Sequence, residues 1–269
     1  MPWKRWILGL PIVASGVLAG EACCRLTGFY PALLSDSRLI GGMLAWLLAA
    51  LLVTAVAGGI TAALLGAGPI GLLAVALAAV GLALTWGLNT LSALGAAAFL
   101  LLTAWSLFTI QSGLRARVRF SAAWLGRATA GLLTGLSLAA GAAVYSGAEQ
   151  SVAEHGVMIP EQAWEIVSLT SGNYIGLFVP EELRGLQMEQ LNQAFQAHLR
   201  ERVQDLAQPY RQYLPLIYAG LFILLVLESN RLVALLAALA LRAAIPLLQA
   251  AGLARYERST VEVERLVPG

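Results

Sequence analysis

The chain has 269 residues, of which 59% are hydrophobic and 12% charged, and its formal charge is +2. Charged residues stand at about half their share in soluble domains, and the mean hydropathy is +0.76. This excludes a disordered chain and a disulfide scaffold, and so small a positive charge excludes binding to a nucleic-acid phosphate backbone. Lipid is the solvent for much of the sequence. The predicted fold class is an all-α integral membrane protein: about seven transmembrane helices with a small helical extracytoplasmic insert.

A spanning helix needs roughly 20 apolar residues. The first run, 6–24, follows Lys4-Arg5. It reads as an uncleaved anchor. A cleaved signal with Cys23 heading a lipoprotein is the weaker alternative, because Gly20 and Glu21 are poor residues before such a cleavage. The second run, 39–65, stops at Gly66-Ala67-Gly68-Pro69, a turn signal. The third, 70–88, and the fourth, 91–110, are parted by Asn89-Thr90 alone. The fifth is 128–146. The sixth, 213–227, and the seventh, 231–252, are separated at Glu228-Ser229-Asn230, and the seventh holds Arg242 and Pro246.

The resulting division is a membrane region 1–146, an insert 147–210, two further spans in 211–252 and a charged tail 253–269. Orientation follows the lysines and arginines of short loops. Lys4 and Arg5 precede the first span, and Arg115, Arg117, Arg119 and Arg127 crowd the link 111–127. Both sites fall on one side, which predicts a cytoplasmic N-terminus in a bacterial inner (plasma) membrane. Seven spans would leave the tail outside, where Arg255, Arg258 and Arg265 are unwelcome; six would bring it inside.

The insert holds nine acids and three arginines. Proline at a first helical position with acids behind it suits Pro160-Glu161 and Pro180-Glu181-Glu182. Two helices are expected, about 160–169 and 180–208. The longer carries an apolar stripe in which Leu191, Phe195, Leu199 and Val203 form the candidate partner-binding face. The strand-like segments 174–179 and 260–267 are expected to pair if both lie outside.

Chemistry is sparse. The two histidines, His155 and His198, both belong to the insert, and no His-Glu-x-x-His is present. Cys23 and Cys24 are adjacent and lack the spacing of a redox or metal pair. No metal, cofactor or catalytic set is expected. Glu21 with Arg25, and Glu228 with Arg231, read as surface pairs near span ends. Asn89 and Arg242 are the candidate intramembrane polar site, with Thr85, Ser92, Thr103 and Ser106 as a polar seam. Small residues recur every four positions at Gly131, Gly135, Ala139 and Ala143, and again at Gly41, Ala45 and Ala49. That spacing lets helices approach closely, within one chain or between copies. The expected role is a non-catalytic accessory, scaffolding or assembly component whose partners are the lipid bilayer and a protein or second copy. The alternative is a small-solute transporter or channel using Arg242 and the seam.

Overall fold

The computed structural model describes residues 3–35, 37–115, 122–156 and 208–253. Among them the fold is all helical, and six helices are long and apolar enough to cross a membrane. The elements are α1 (Trp3–Leu26), α2 (Phe29–Ser35), α3 (Ser37–Leu64), α4 (Pro69–Trp86), α5 (Thr90–Arg115), α6 (Ala122–Ala128), α7 (Ala130–His155) and α8 (Leu214–Ala250), with a 3-10 turn at Gln208–Tyr210 before α8. The end of the bundle that carries the start of α1 is called the near end, and the opposite one the far end.

Helix α1 runs to the far end in parallel with α4. Gly9 rests near Ala74, Gly16 on Ala78, and Gly20 on Leu82 and Thr85. The contact is backbone to backbone: a Cβ on Gly16 would lie 2.1 Å from the Ala78 carbonyl oxygen. Without a hydrophobic drive between helices in lipid, such close approach is what dispersion attraction requires. Thr85 lies in the same seam: its hydroxyl donates to the Gly81 carbonyl of its own helix at 2.8 Å and shares that proton with the Val17 carbonyl of α1 at 3.2 Å. Buried Ile12, Ala19, Cys23 and Leu26 make α1 a core element.

The short turns hold their helices by local chemistry. Gly66 takes φ +60°, a conformation costly for a side-chain-bearing residue. The next residue's N–H donates to Gln111 Oε1 at 3.0 Å, which ties the α3–α4 turn to the near end of α5. Pro69 opens α4, at a helix start where its missing N–H costs nothing. At the far end Asn89 caps α5. Its Oδ1 accepts from the Ser92 N–H at 2.7 Å, and its own N–H donates to Ser92 Oγ at 3.0 Å, a reciprocal cap.

Helix α5 descends antiparallel to α7: Gly95 lies against Ala139, Phe99 against Gly135, and Ser106 against Gly131. The fifth expected span is therefore present but longer than its apolar run. Its helix continues to His155, so residues 147–155 belong to α7 rather than to the polar insert. On the near side it is broken only at Thr129, whose hydroxyl donates to the Gly126 carbonyl at 2.7 Å.

The expected break between a sixth and a seventh span is absent: α8 is one 37-residue helix. The physical reason lies at 228–230. Glu, Ser and Asn include no backbone breaker, and a turn inside lipid would strand polar backbone groups. Ser229 instead donates to the Leu225 carbonyl at 3.0 Å, and Asn230 donates to Ser137 Oγ of α7 at 2.9 Å. Helix α8 lies antiparallel to α7, with Ile223 on Gly141 and Ala238 on Gly126. It returns to the near end, so the described residues hold six helices of spanning length where the sequence predicts seven. The tail then leaves at the end opposite to the departure of the insert. This removes the premise for pairing 260–267 with 174–179, two segments that lie outside the described residues.

Candidate far-end platform and the membrane-facing polar residues

At the far end the two helices that flank the insert stand side by side. Arg211, just before α8, donates through Nη2 to the Ala153 carbonyl at 2.9 Å and also to that of Val152. These are carbonyls of the last turn of α7, where that of Val152 also accepts from the Gly156 N–H at 3.1 Å, and a cation there suits the helix dipole. Helix α2 closes the same end. Tyr30 is buried and stacks edge-on to Tyr218 with ring centroids 4.9 Å apart, and Phe29 does the same to Phe222 at 5.0 Å. Gly147 of α7 touches the Thr27 carbonyl so closely that a Cβ there would lie 1.8 Å from its oxygen. Between the α7 and α8 ends lies a cleft of about 560 Å³, lined by Tyr145, Glu149, Val152, Ala153, Arg211 and Gln212 among others. Its lining mixes an acid, a base and a phenol.

The sequence-predicted sites are distributed differently. Leu191, Phe195, Leu199 and Val203 lie outside the described residues. Asn89 sits in the far-end turn and is occupied by capping α5, whereas Arg242 lies toward the near end. Its neighbour Leu241 packs on Gly59, five residues before α3 ends at Leu64, within about 8 Å of that end at 1.5 Å per residue. Arg242 is exposed, at a depth from which a long side chain reaches the headgroups. The two members of the expected polar site are therefore at opposite ends of the bundle and do not converge.

The polar seam is engaged in helix packing where its partners are seen. Ser106 donates to the Ala128 carbonyl at 3.0 Å, and Thr85 bridges α4 to α1. The small-residue faces divide into two kinds. Gly131, Gly135, Ala139 and Ala143 are consumed inside the chain, the glycines against α5 and both alanines fully buried. Gly41, Ala45 and Ala49 lie on an exposed face of α3. Glu21 and Arg25 form the expected surface pair at 2.9 Å, and Arg25 also sits 4.5 Å above the Trp46 ring.

Two features escaped sequence reasoning. One is the parallel glycine contact of α1 on α4, signalled by Gly16 and Gly20 at the small-xxx-small interval. The other is the hydrogen bond from Asn230 to Ser137. Asn230 reads in the sequence as a turn residue, and its Oδ1 is buried with no hydrogen-bond partner among the described residues.

The class these observations define is a multi-pass α-helical membrane protein. No family model, no curated protein and no solved structure matches the chain.

Proposed function

We propose that the protein is a non-catalytic assembly or scaffolding component, a membrane platform that holds its 157–207 segment at the far end for a protein partner. The observation that carries this reading is the double anchoring of that segment. The helix before it and the helix after it are joined by Arg211 on the α7 carbonyls and braced by the aromatic pairs on α2. A segment fixed at both feet to a packed bundle loses less entropy on binding than a free chain does. The composition of the segment, acidic with one apolar stripe, suits a helix that presents Leu191, Phe195, Leu199 and Val203 to a groove or a partner helix.

In this reading the near end is cytoplasmic. Lys4 and Arg5, the Arg115–Arg127 link and the tail arginines Arg255, Arg258 and Arg265 all gather there under six crossings, as the bias of basic residues to the cytoplasmic side favours. A single cysteine at position 190, in a chain lacking Cys23 and Cys24, is expected to label from outside; labelling from the cytoplasm alone overturns the orientation. Gentle purification from native membranes is expected to bring one stoichiometric partner. Phe195→Asp is expected to lose that partner while the bundle keeps its thermal transition. Solute flux in reconstituted vesicles that depends on this protein, with no partner recovered, would replace the reading by transport.

A further inference from the structure

The Glu228–Arg231 pair is used by neither the fold nor the platform. The two side chains approach to 3.9 Å, and they are 77% and 87% exposed respectively. Packing fixes their depth. Helix α4 runs 18 residues between two turns, about 27 Å, close to the thickness of a bilayer's hydrocarbon core. Phe99 lies nine residues into α5, half that depth, and it touches Gly135. Ser137 is therefore about 3 Å from the midplane at 1.5 Å per residue, and Asn230 bonds to Ser137. Glu228 and Arg231 flank Asn230. Their direction is fixed as well. Glu228 follows buried Val226 by two residues and Arg231 precedes buried Val233 by two, about 200° around the helix in each case. Both point outward, about 60° apart around the helix, near the middle of the membrane. Charged side chains at that depth face protein or water, not hydrocarbon.

We propose that this face of α8 is covered by α8 of a second copy of the chain, in a parallel two-fold dimer with its axis along the membrane normal. Two copies inserted alike can only be related by such an axis, so like helices meet at equal depth. The patch complements itself. A two-fold axis sets like residues at one height, so the acid and base, about 4.5 Å apart along the helix, pair diagonally: each carboxylate reaches along the seam to the guanidinium of the other copy, and four charges close into a neutral network. A foreign helix would have to carry the matching charges independently; a second copy brings them by symmetry. The flanking residues have the spacing of a helix-pair seam. Ile217, Leu221, Leu224, Glu228, Arg231 and Leu235 recur at alternating steps of four and three, the heptad interval of left-handed pairs. The four aliphatic members are between 51% and 62% exposed.

The test uses the full chain in mild detergent and in lipid nanodiscs, with copy number read by native mass spectrometry. The expected result is two copies. In native membranes, with Cys23 and Cys24 replaced by alanine, Leu221→Cys, Leu224→Cys and Leu235→Cys are expected to cross-link on oxidation. Leu101→Cys, on a lipid-facing position of α5, is expected not to. Glu228→Arg or Arg231→Glu alone is expected to raise the dimer dissociation constant about tenfold or more, since it gathers four charges of one sign at the axis. The double exchange is expected to restore it, with unchanged circular dichroism in all variants. A chain that stays monomeric in nanodiscs overturns the proposal. So does cross-linking at position 101 equal to that on the stripe, or a different protein bound stoichiometrically along it. Labelling of a cysteine at 228 or 231 by a membrane-impermeant maleimide also overturns it, because the pair would then lie in a water-exposed turn.

Discussion

Helices α7 and α8 are neighbours and antiparallel, and both are apolar enough to cross a membrane, yet 61% of the most apolar stretch of the α7 span is buried against 22% of that of α8. Helix α7 is built of Gly, Ala, Ser and Thr and packs on α5, α1, α2 and α8. Helix α8 is built of Leu and presents most of its surface outward. The difference shows two ways of being apolar in a membrane. Small residues exchange side-chain area for close helix approach and are recognised by what touches them. Large aliphatic residues are equally content in lipid and so record little about the protein around them. In α7, hydropathy alone would miss the structural role; in α8, hydropathy alone conceals the two charges that lipid should reject.

The contrast predicts opposite responses to added volume, and this is the largest expected effect. Gly147→Leu drives a Cβ into the Thr27 carbonyl and is expected to cost about 3 kcal/mol or more, since backbone cannot yield as a side chain can. Gly220 of α8 has nothing within 4 Å of the position its Cβ would take, and Gly220→Leu is expected to be neutral or slightly stabilising. Unfolding in mixed micelles by titration with a denaturing detergent measures both. Equal costs at the two sites would remove the packing difference between the helices.

Removal of volume is the next step down. Phe222 is one of the few large side chains that α8 buries, edge-on to Phe29 at 5.0 Å. Phe222→Ala is expected to cost about 2 kcal/mol, below the usual cost in a soluble core because lipid supplies no transfer term and only lost contacts remain. The exposed Leu224→Ala is expected to change the stability of the monomeric bundle by less than about 0.5 kcal/mol. A third contrast lies at the far end. Arg211→Ala leaves the last α7 carbonyls without that cation and is expected to cost about 1 kcal/mol. Arg211→Lys should recover only part of this, since one ammonium does not reproduce the fork. Hydrogen exchange at 150–156 reads the effect; exchange unchanged by Arg211→Ala would release the insert from its proposed stem.

Much of the fold is legible in the sequence because lipid demands long apolar helices and punishes broken ones. The runs that became α3, α4 and α5 are parted where Gly66, Pro69 and Asn89 mark the turns. Helix α8 was misread because charge was taken as a turn signal. Glu228 and Arg231 lower the local hydropathy as a loop would, but they are good helix formers, and no glycine or proline accompanies them. The end of α7 was misplaced for the related reason that Glu149, Gln150 and Glu154 are polar without being unhelical. The places of the two members of the candidate polar site were not legible in the sequence. The depth of Arg242 depends on where α8 begins, and the role of Asn89 depends on a cap that spacing alone suggests but does not distinguish from a pore lining. Short α2 carries too few residues for a periodicity to register.

The smallest effect bears on the one polar contact that joins the two helices near the midplane. Asn230 Nδ2 donates to Ser137 Oγ at 2.9 Å, and Ser137 Oγ donates in turn to the Leu133 carbonyl at 2.8 Å. In hydrocarbon the intuitive expectation is a strong bond, because an unpaired amide has no water to turn to. The unfolded chain in the membrane, however, also finds partners, and measured couplings between membrane helices average about 0.6 kcal/mol. A double-mutant cycle of Ser137→Ala and Asn230→Leu is therefore expected to give a coupling near that value. The single Asn230→Leu change is expected to be close to neutral, since it also removes the buried Oδ1 that has no partner. A coupling above about 2 kcal/mol would make the α7–α8 contact a polar lock rather than a packed seam. Additive single costs would show that burial against Gly141 and Gly126, and not hydrogen bonding, holds α8 to the bundle.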